Sequence, residues 1–357
     1  MRWLALVGVS ITHLESRLES YGLPAVLGTS DVALVNASFV STKRRLATWL
    51  ARLFQSQRSE LERLGLTWLD KRLPDEGLAP VRTRLRLPRN VGQEEITDES
   101  LRIAEVASKY LASCGMFEAI GVQRITDPQT RHTRLRATCK EEQARVYEAT
   151  VHNLQSMYDT YIKNTVTEGR DERLPRLRGH LSAALHLLES VTFLSHFVER
   201  YELDARTGGA AAECIAKLVS RADAEDLILN ELLFWANELL QRGRATAEEL
   251  LTAYINLQEL RVELPDNLRL HARPAALIVN IVGRYGTPVD MEVAGHRCNA
   301  GSILELLVAV GSNPDARSYV FRGDIHPLRD IAALFESSLG EDGLENLPDA
   351  LHYLRSS

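Results

Sequence analysis

The sequence predicts an α+β protein in which a mainly α-helical region, residues 1–255, precedes a small domain that alternates strands and helices. Two observations lead to this prediction. Apolar residues recur at helical spacing through most of the region before residue 255. Near residue 257 the period changes to the alternation of a half-buried strand, as in ELRVEL, Glu259 to Leu264.

Segments with helical apolar spacing predict the helical region. A first one runs from Ser38 to about Gly65, and six more follow it. Those six run from Asp98 to Ile120, Lys140 to Val166, Leu174 to Glu202, Gly208 to Arg221, Ala224 to Arg242, and Ala245 to Tyr254. Asp98 and Thr246 resemble helix starts. The intervening stretch LPDEGLAPVRTRLRLPRNVG carries three prolines and two glycines, which predicts a loop with a short strand in VRTRLRL. The region is therefore one domain, or two divided near residues 74–97.

The second domain is predicted to span residues 256–340, with a C-terminal tail at 341–357. Its element order is β-α-β-β-α-β-α, which predicts a four-stranded antiparallel sheet with three helices packed on one face. The strand TPVDMEV and a strand at His296 to Asn299 flank Ala-Gly, a hairpin signal. Ser302 starts the second helix, ARSYVFRG forms the fourth strand, and Pro327 opens the third helix.

Composition indicates an ordinary globular protein. The chain has 357 residues, 45% of them apolar, and a net charge of −6. The apolar run at the N-terminus, MRWLALVGVSITHLESR, is shorter than the roughly 20 residues that span a bilayer, so no membrane insertion is expected. Four scattered cysteines form no CxxC, which favours reduced thiols in the cytoplasm.

The stretch DNLRLHARPAALIVNIVGRYG, residues 266–286, contains the strongest chemical signal. His271 lies at the predicted N-cap of a helix from about Arg273 to Tyr285, with Pro274 in its first turn. Free backbone amides and the positive end of the helix dipole would then face the imidazole, and this favours an anion such as a phosphoryl group. Arg273 adds a guanidinium able to bind phosphate oxygens. The alternative is an exposed capping histidine without chemistry.

Two motifs then suggest a family. LHARPAA, Leu270 to Ala276, resembles the active-site signature of the histidine-containing phosphocarrier protein HPr of the bacterial sugar phosphotransferase system. NAGSILELL, Asn299 to Leu307, resembles its second-helix signature at the family's spacing, and Gly295 falls at the family's hairpin glycine. The resemblance covers less than a quarter of the chain. It implies that His271 carries phosphate, with Arg273 and the amides of Ala272 and Arg273 stabilising it.

The resemblance also implies a regulatory site and a docking face. Ser302 lies where a kinase phosphorylates HPr in many bacteria, although a serine N-cap explains it as well and is the favoured interpretation. Ile303, Leu304 and Leu307 match the apolar face that the family uses to meet partners, with core packing as the alternative.

Three positions depart from the family pattern. Arg269 replaces a glycine before Leu-His, Gly301 replaces a lysine before the serine, and a glycine near the end of the second helix comes one residue late, at Gly311. These departures concern the geometry of the loop and the fit to partners.

By resemblance the protein is a phosphocarrier with a phosphohistidine intermediate rather than a self-contained enzyme. Expected partners are Enzyme I as donor, enzyme IIA-type proteins as acceptors, an HPr serine kinase, and a second copy of the chain through the helical region. The alternative function is a regulatory docking module, in which phosphorylation switches an interaction without onward transfer.

Other motifs favour plain structural roles. His186, Glu189, His196 and Glu199 spread over roughly 140° of one helix, so buried or rim histidines are favoured over a metal site. The basic segment DPQTRHTRLRATCK lacks aromatic residues in an acidic chain, which favours a solvated face over nucleic-acid binding. No phosphate-binding loop, dinucleotide fingerprint or nucleophile elbow is present, and no cofactor is expected.

Overall fold

The computed structural model describes residues 1–18, 27, 29–67, 96–202, 209–265 and 267–356. The strand predicted in VRTRLRL and most of the predicted subdivision near residues 74–97 lie outside these residues. The described residues divide between two compact units. The helical unit comprises those within Met1–Gly92 and Ala112–Thr246, and the sheet unit those within Gln93–Leu111 and Ala247–Ser357. The domain boundary at residue 256 stays a prediction.

The described part of the chain before the sheet is α-helical, and its helices follow one another closely. They are α1 (Arg2–Arg17), α2 (Thr29–Arg63), α3 (Ile96–Ile120), α4 (Pro128–Thr138), α5 (Glu141–Tyr161), α6 (Val166–Arg170), α7 (Arg173–Glu202), α8 (Gly209–Leu218), α9 (Arg221–Asp226), α10 (Phe234–Arg242) and α11 (Arg244–Tyr254). A π-helical turn, Leu227–Leu233, joins α9 to α10.

The core of the helical unit is built around α7, which packs against α1, α5 and α10. Within α7 the segment Arg173–Arg200 is long and apolar enough to cross a membrane, yet 83% of its apolar window is buried inside the protein. Such burial is typical of a core helix.

The sheet unit contains the predicted four-stranded antiparallel sheet. Its strands are β1 (Leu257–Glu263), β2 (Val289–Val293), β3 (His296–Asn299) and β4 (Ser318–Asp324), in the order β1-β4-β2-β3. The helices α12 (Ala272–Tyr285), α13 (Ile303–Gly311) and α14 (Ile325–Glu336) follow β1, β3 and β4. Ala294 and Gly295 both have positive φ, 48° and 82°, so they make the tight turn between β2 and β3.

The two faces of the sheet differ as alternation requires. Phe321 and Met291 pair across β4 and β2 on the face that packs against the helices, and both are fully buried. On the opposite face Arg322 donates to Glu259 of β1 (2.9 Å) and to Glu292 of β2 (2.5 Å). The apolar face must be shielded from water, whereas the charged face can stay exposed. The three helices therefore lie on the apolar side.

The structure differs from the sequence prediction at several element ends. Helix α14 begins at Ile325, two residues before Pro327, because the carboxylate of Asp324 accepts the His326 amide and caps the helix. The predicted helix from Lys140 to Val166 ends at Tyr161. The segment from Ala224 to Arg242 contains the π-helical turn, and α11 begins at Arg244 rather than beside Thr246.

The segment assigned to a C-terminal tail is folded onto the sheet unit. After α14 come three short 3₁₀ helices, Ser338–Gly340, Leu344–Asn346 and Asp349–Ser356. Leu347, Leu351 and Leu354 from this segment are buried in the core that α12 and α14 share.

Candidate phosphohistidine site

His271 lies at the N-terminus of α12, as the sequence predicts. Its backbone is extended (φ −122°, ψ −168°), and its carbonyl accepts the first helical hydrogen bond from the Ala275 amide at 3.0 Å. Its Nδ1 accepts the amide N–H of Arg273 at 3.4 Å. Pro274 is buried in the first turn, where its missing N–H costs nothing. His271 is therefore an N-cap whose Nδ1 faces the helix end.

The electrostatics at this helix end favour an anion. The amides of Ala272 and Arg273 belong to the first turn, where α-helical amides have no partner within the helix. The positive end of the helix dipole adds to them. The Arg273 side chain is exposed two residues after His271, so its guanidinium can turn toward a phosphoryl group. The His271 side chain itself is 54% exposed and accessible to a protein donor.

A carboxylate lies on the other side of the ring. Oε1 of Glu341 is 3.1 Å from Nε2 of His271, and the Glu341 side chain is 30% exposed. Sequence reasoning missed this residue because it lies in the segment assigned to a tail. No local pattern around Glu341 indicates that it returns to the start of α12.

Beside His271 a groove of about 300 Å³ runs toward the end of α13. It is lined by Arg269, Leu270, His271, Ala272, Leu307, Val310, Gly311, Pro314, Ala316 and Tyr319. Arg269 is not among the non-glycine residues with positive φ in the described chain, so the loop needs no glycine there. The arginine instead adds a second cation near the imidazole.

The predicted docking residues lie on α13 with unequal exposure. Leu304 is 71% exposed and Ile303 is 41% exposed, and the neighbouring Val308 is 60% exposed. Leu307 is half-buried, packs against the core and lines the groove beside His271. The residues of α13 that are buried in the core are Leu306 and Ala309.

Ser302 caps α13 and belongs to a different helix start from His271. Its Oγ accepts the Glu305 amide at 3.4 Å, and the Glu305 carboxylate accepts the Asn299 amide at 3.0 Å. The Glu305 carboxylate bonds to the turn before the helix rather than to the Ser302 amide, so the cap is a simple serine N-cap. Ser302 thus has a structural role, and its phosphorylation stays a prediction.

The histidines of α7 have separate partners. His186 contacts Glu189 at 3.2 Å, whereas His196 contacts Glu141 of α5 at 2.7 Å. Glu199 accepts the amide of Glu141 at the start of α5. The two His-x-x-Glu pairs therefore do not converge on one point.

An exposed imidazole at a helix start, on an antiparallel sheet covered on one face by three helices, defines a phosphocarrier-type α+β domain. Comparison with family models agrees: residues 258–313 match the model described as the PTS HPr component phosphorylation site, and the N-terminal part matches no family. The C-terminal region is therefore HPr-like. The match includes His271 and Ser302 but ends before β4, α14 and Glu341. Comparisons with curated proteins and with solved structures found no match.

Proposed function

We propose that the protein is a phosphoryl carrier of a phosphotransferase-type relay, in which His271 accepts phosphate from Enzyme I and passes it to an acceptor protein. The observation that supports this most is the position of His271, exposed, with Nδ1 facing the first amides of α12. The imidazole is a suitable carrier because its neutral form exists near physiological pH and its phosphoramidate can transfer the group onward.

The transfer step follows from this position. The lone pair of Nδ1 attacks phosphorus while the bond from phosphorus to the donor breaks. The phosphoryl oxygens then meet the amides of Ala272 and Arg273 and the Arg273 guanidinium. Phosphoryl transfer depends mainly on positioning and on charge stabilisation, which this helix end supplies. The helical region is proposed to regulate the carrier or to join it to a partner, including a second copy of the chain.

The proposal is tested by incubating the full chain with Enzyme I and phosphoenolpyruvate, followed by mass spectrometry under non-acidic conditions, because phosphohistidine is labile in acid. One phosphate on His271 is the expected result. An unlabelled chain under conditions in which a standard HPr is labelled would contradict it. Adding the chain to a phosphotransferase system depleted of HPr then tests onward transfer.

A docking module is the second candidate, and the apolar side chains exposed on α13 favour it. Leu304, Val308 and Ile303 present an apolar patch beside the groove at His271. Contiguous apolar surface of this kind is typical of a protein contact. Labelled His271 that transfers nothing to any enzyme IIA, together with binding that depends on the label, would favour this function.

A further inference from the structure

The carboxylate of Glu341 has no role in the chemistry described so far. It contacts Nε2 of His271 at 3.1 Å, on the side of the ring opposite Nδ1. We propose that Glu341 is a positioning residue: it keeps a proton on Nε2, so that Nδ1 is the nucleophile and the ring leaves as a neutral imidazole when the phosphoryl group moves on. This inference rests on the proposed function.

The turn that holds Glu341 is built tightly. Ser338, Leu339 and Gly340 all have left-handed backbone conformations, with φ of 52°, 58° and 73°. A non-glycine residue rarely adopts this conformation unless its surroundings hold it there. Leu339 is fully buried, and a Cβ on Gly340 would lie 3.2 Å from Leu277 of α12. The turn thus packs on the same helix that begins at His271.

The chain after Glu341 is anchored as well. The hydroxyl of Tyr353 donates to Asp330 of α14 at 2.5 Å, and the ring of Tyr353 lies 4.1 Å from the guanidinium carbon of Arg284. The buried leucines Leu347 and Leu351 add apolar contacts. With packed residues on both sides, Glu341 is held near the imidazole rather than carried on a free end.

The two ring contacts together assign the tautomer. Nδ1 faces a backbone N–H, which is a donor, so Nδ1 is the acceptor and carries the lone pair. Nε2 faces a carboxylate, which is an acceptor, so Nε2 carries the hydrogen. A carboxylate that fixes the second ring nitrogen orients the imidazole for its reaction at the first.

The protonation of Nε2 matters most when phosphate leaves. Uptake forms the Nδ1–P bond, breaks the donor–P bond and leaves the Nε2–H in place. In onward transfer the acceptor attacks phosphorus and the Nδ1–P electron pair returns to the ring. If Nε2 keeps its proton, the leaving group is neutral imidazole, whereas a ring without it must leave as an imidazolide anion. Glu341 favours the protonated ring, so its carboxylate speeds onward transfer.

The test uses the full chain phosphorylated on His271 with phosphoramidate, a small donor that needs no protein partner. The variant Glu341→Gln keeps the size of the side chain but loses its charge, and Asp342→Asn removes the neighbouring exposed carboxylate as a matched control. Phosphorus NMR measures the rate at which phosphate is lost, from acid through neutral to alkaline pH. For Glu341→Gln we expect dephosphorylation about fivefold slower near neutral pH, the change that corresponds to about 1 kcal/mol for a partly exposed ion pair.

The pH profile separates positioning from a structural role. In acid, the phosphorylated His271 ring is protonated in wild type and in Glu341→Gln, so their dephosphorylation rates should converge. The rate of Asp342→Asn should equal that of wild type at every pH. Equal rates at every pH, or a uniform loss at every pH, would overturn the proposal. Nitrogen NMR spectra of the His271 ring in the unphosphorylated chain give a second test. The Nε2–H tautomer should be more populated in wild type than in Glu341→Gln, and equal populations would also overturn the proposal. Failure of Enzyme I to label the wild type would remove the proposed donor but leave these results intact.

Discussion

His271 of the sheet unit uses its carboxylate partner in the opposite way to the paired histidines of the helical unit. In the described part of the helical unit three imidazoles contact carboxylates through Nδ1: His132 with Glu225, His186 with Glu189 and His196 with Glu141. In the sheet unit His326 also pairs through Nδ1, with Asp324. His271 instead pairs with Glu341 through Nε2 and leaves Nδ1 to the helix end. The same pair of groups therefore gives a structural contact or a nucleophile, depending on which ring nitrogen is engaged.

Burial strengthens the contrast. The His196 side chain is 11% exposed, and its ring centroid lies 4.1 Å from that of Trp3. His180 is buried completely within α7. His180 contributes packing and His196 contributes packing and a hydrogen bond, whereas the exposed His271 contributes little to the core. A histidine available for group transfer is thus one whose loss the fold tolerates.

The largest expected effect comes from breaking this contrast at His271. Replacing His271 by Ala should abolish phosphate uptake while the free energy of unfolding falls by only about 1 kcal/mol, the usual contribution of an N-cap. Uptake is measured by mass spectrometry and stability by denaturant unfolding. His196→Ala is the matched control and should retain uptake. Phosphate on His296 or His326 that survives the loss of His271 would show that the carrier is assigned wrongly.

In the helical unit, the buried His180 should make the free energy of unfolding depend on pH. Burial, with a smaller contribution from the charges of Arg176 and Arg242, lowers the pKa of His180 to about 4. The folded state therefore stays neutral at His180 while the unfolded chain takes a proton below its ordinary pKa of about 6.5. Stability should fall between about pH 6.5 and pH 4, by roughly 3 kcal/mol at most.

This pH effect is measured by denaturant unfolding of wild type and of His180→Leu over that range. The variant should lack this part of the pH dependence, and the difference between the two curves isolates it from all other groups. His180→Gln serves if the leucine variant does not fold. Parallel curves would mean that His180 is not neutral in the folded protein.

A smaller effect is expected where the C-terminal segment is anchored. The hydroxyls of Tyr285 and Tyr353 both donate to Oδ2 of Asp330. Burial, and then Asp330, raise the pKa of both phenols, so both keep the protons that they donate. Asp330→Ala leaves two donors without their acceptor and should cost about 2 kcal/mol. Hydrogen exchange in residues 344–356 should accelerate, and Tyr353→Phe should give about half the loss; unchanged exchange would mean that the anchor lies elsewhere.

The smallest effect is expected at Ser302. Replacing Ser302 by Ala removes the cap of α13 and should cost about 1 kcal/mol. Phosphate uptake at His271 should not change, because the two residues begin different helices. Thermal unfolding and the labelling assay with Enzyme I measure the two quantities. Slower uptake in this variant would mean that the two helix starts are coupled.

Much of the site follows from local sequence. His271 is an N-cap because an extended residue precedes a first turn that tolerates Pro274, and Gly286 ends the helix in a left-handed conformation. Ala294 and Gly295 form a tight turn, as predicted from their position between two short alternating strands. In each case the physical cause lies within a few residues along the chain, and the four-stranded sheet with its three helices follows from these signals.

Long-range contacts decided the rest. Glu341 meets His271 only because the turn at Ser338–Gly340 packs on α12, and the sequence around Glu341 carries no mark of that contact. His196 pairs with Glu141 of α5 rather than with the glutamate three residues along its own helix. The sequence by itself determined which histidine lies at an anion-binding helix end, since capping and dipole are local effects. Only the tertiary structure decided which carboxylate faces each ring nitrogen, because that depends on how distant segments pack.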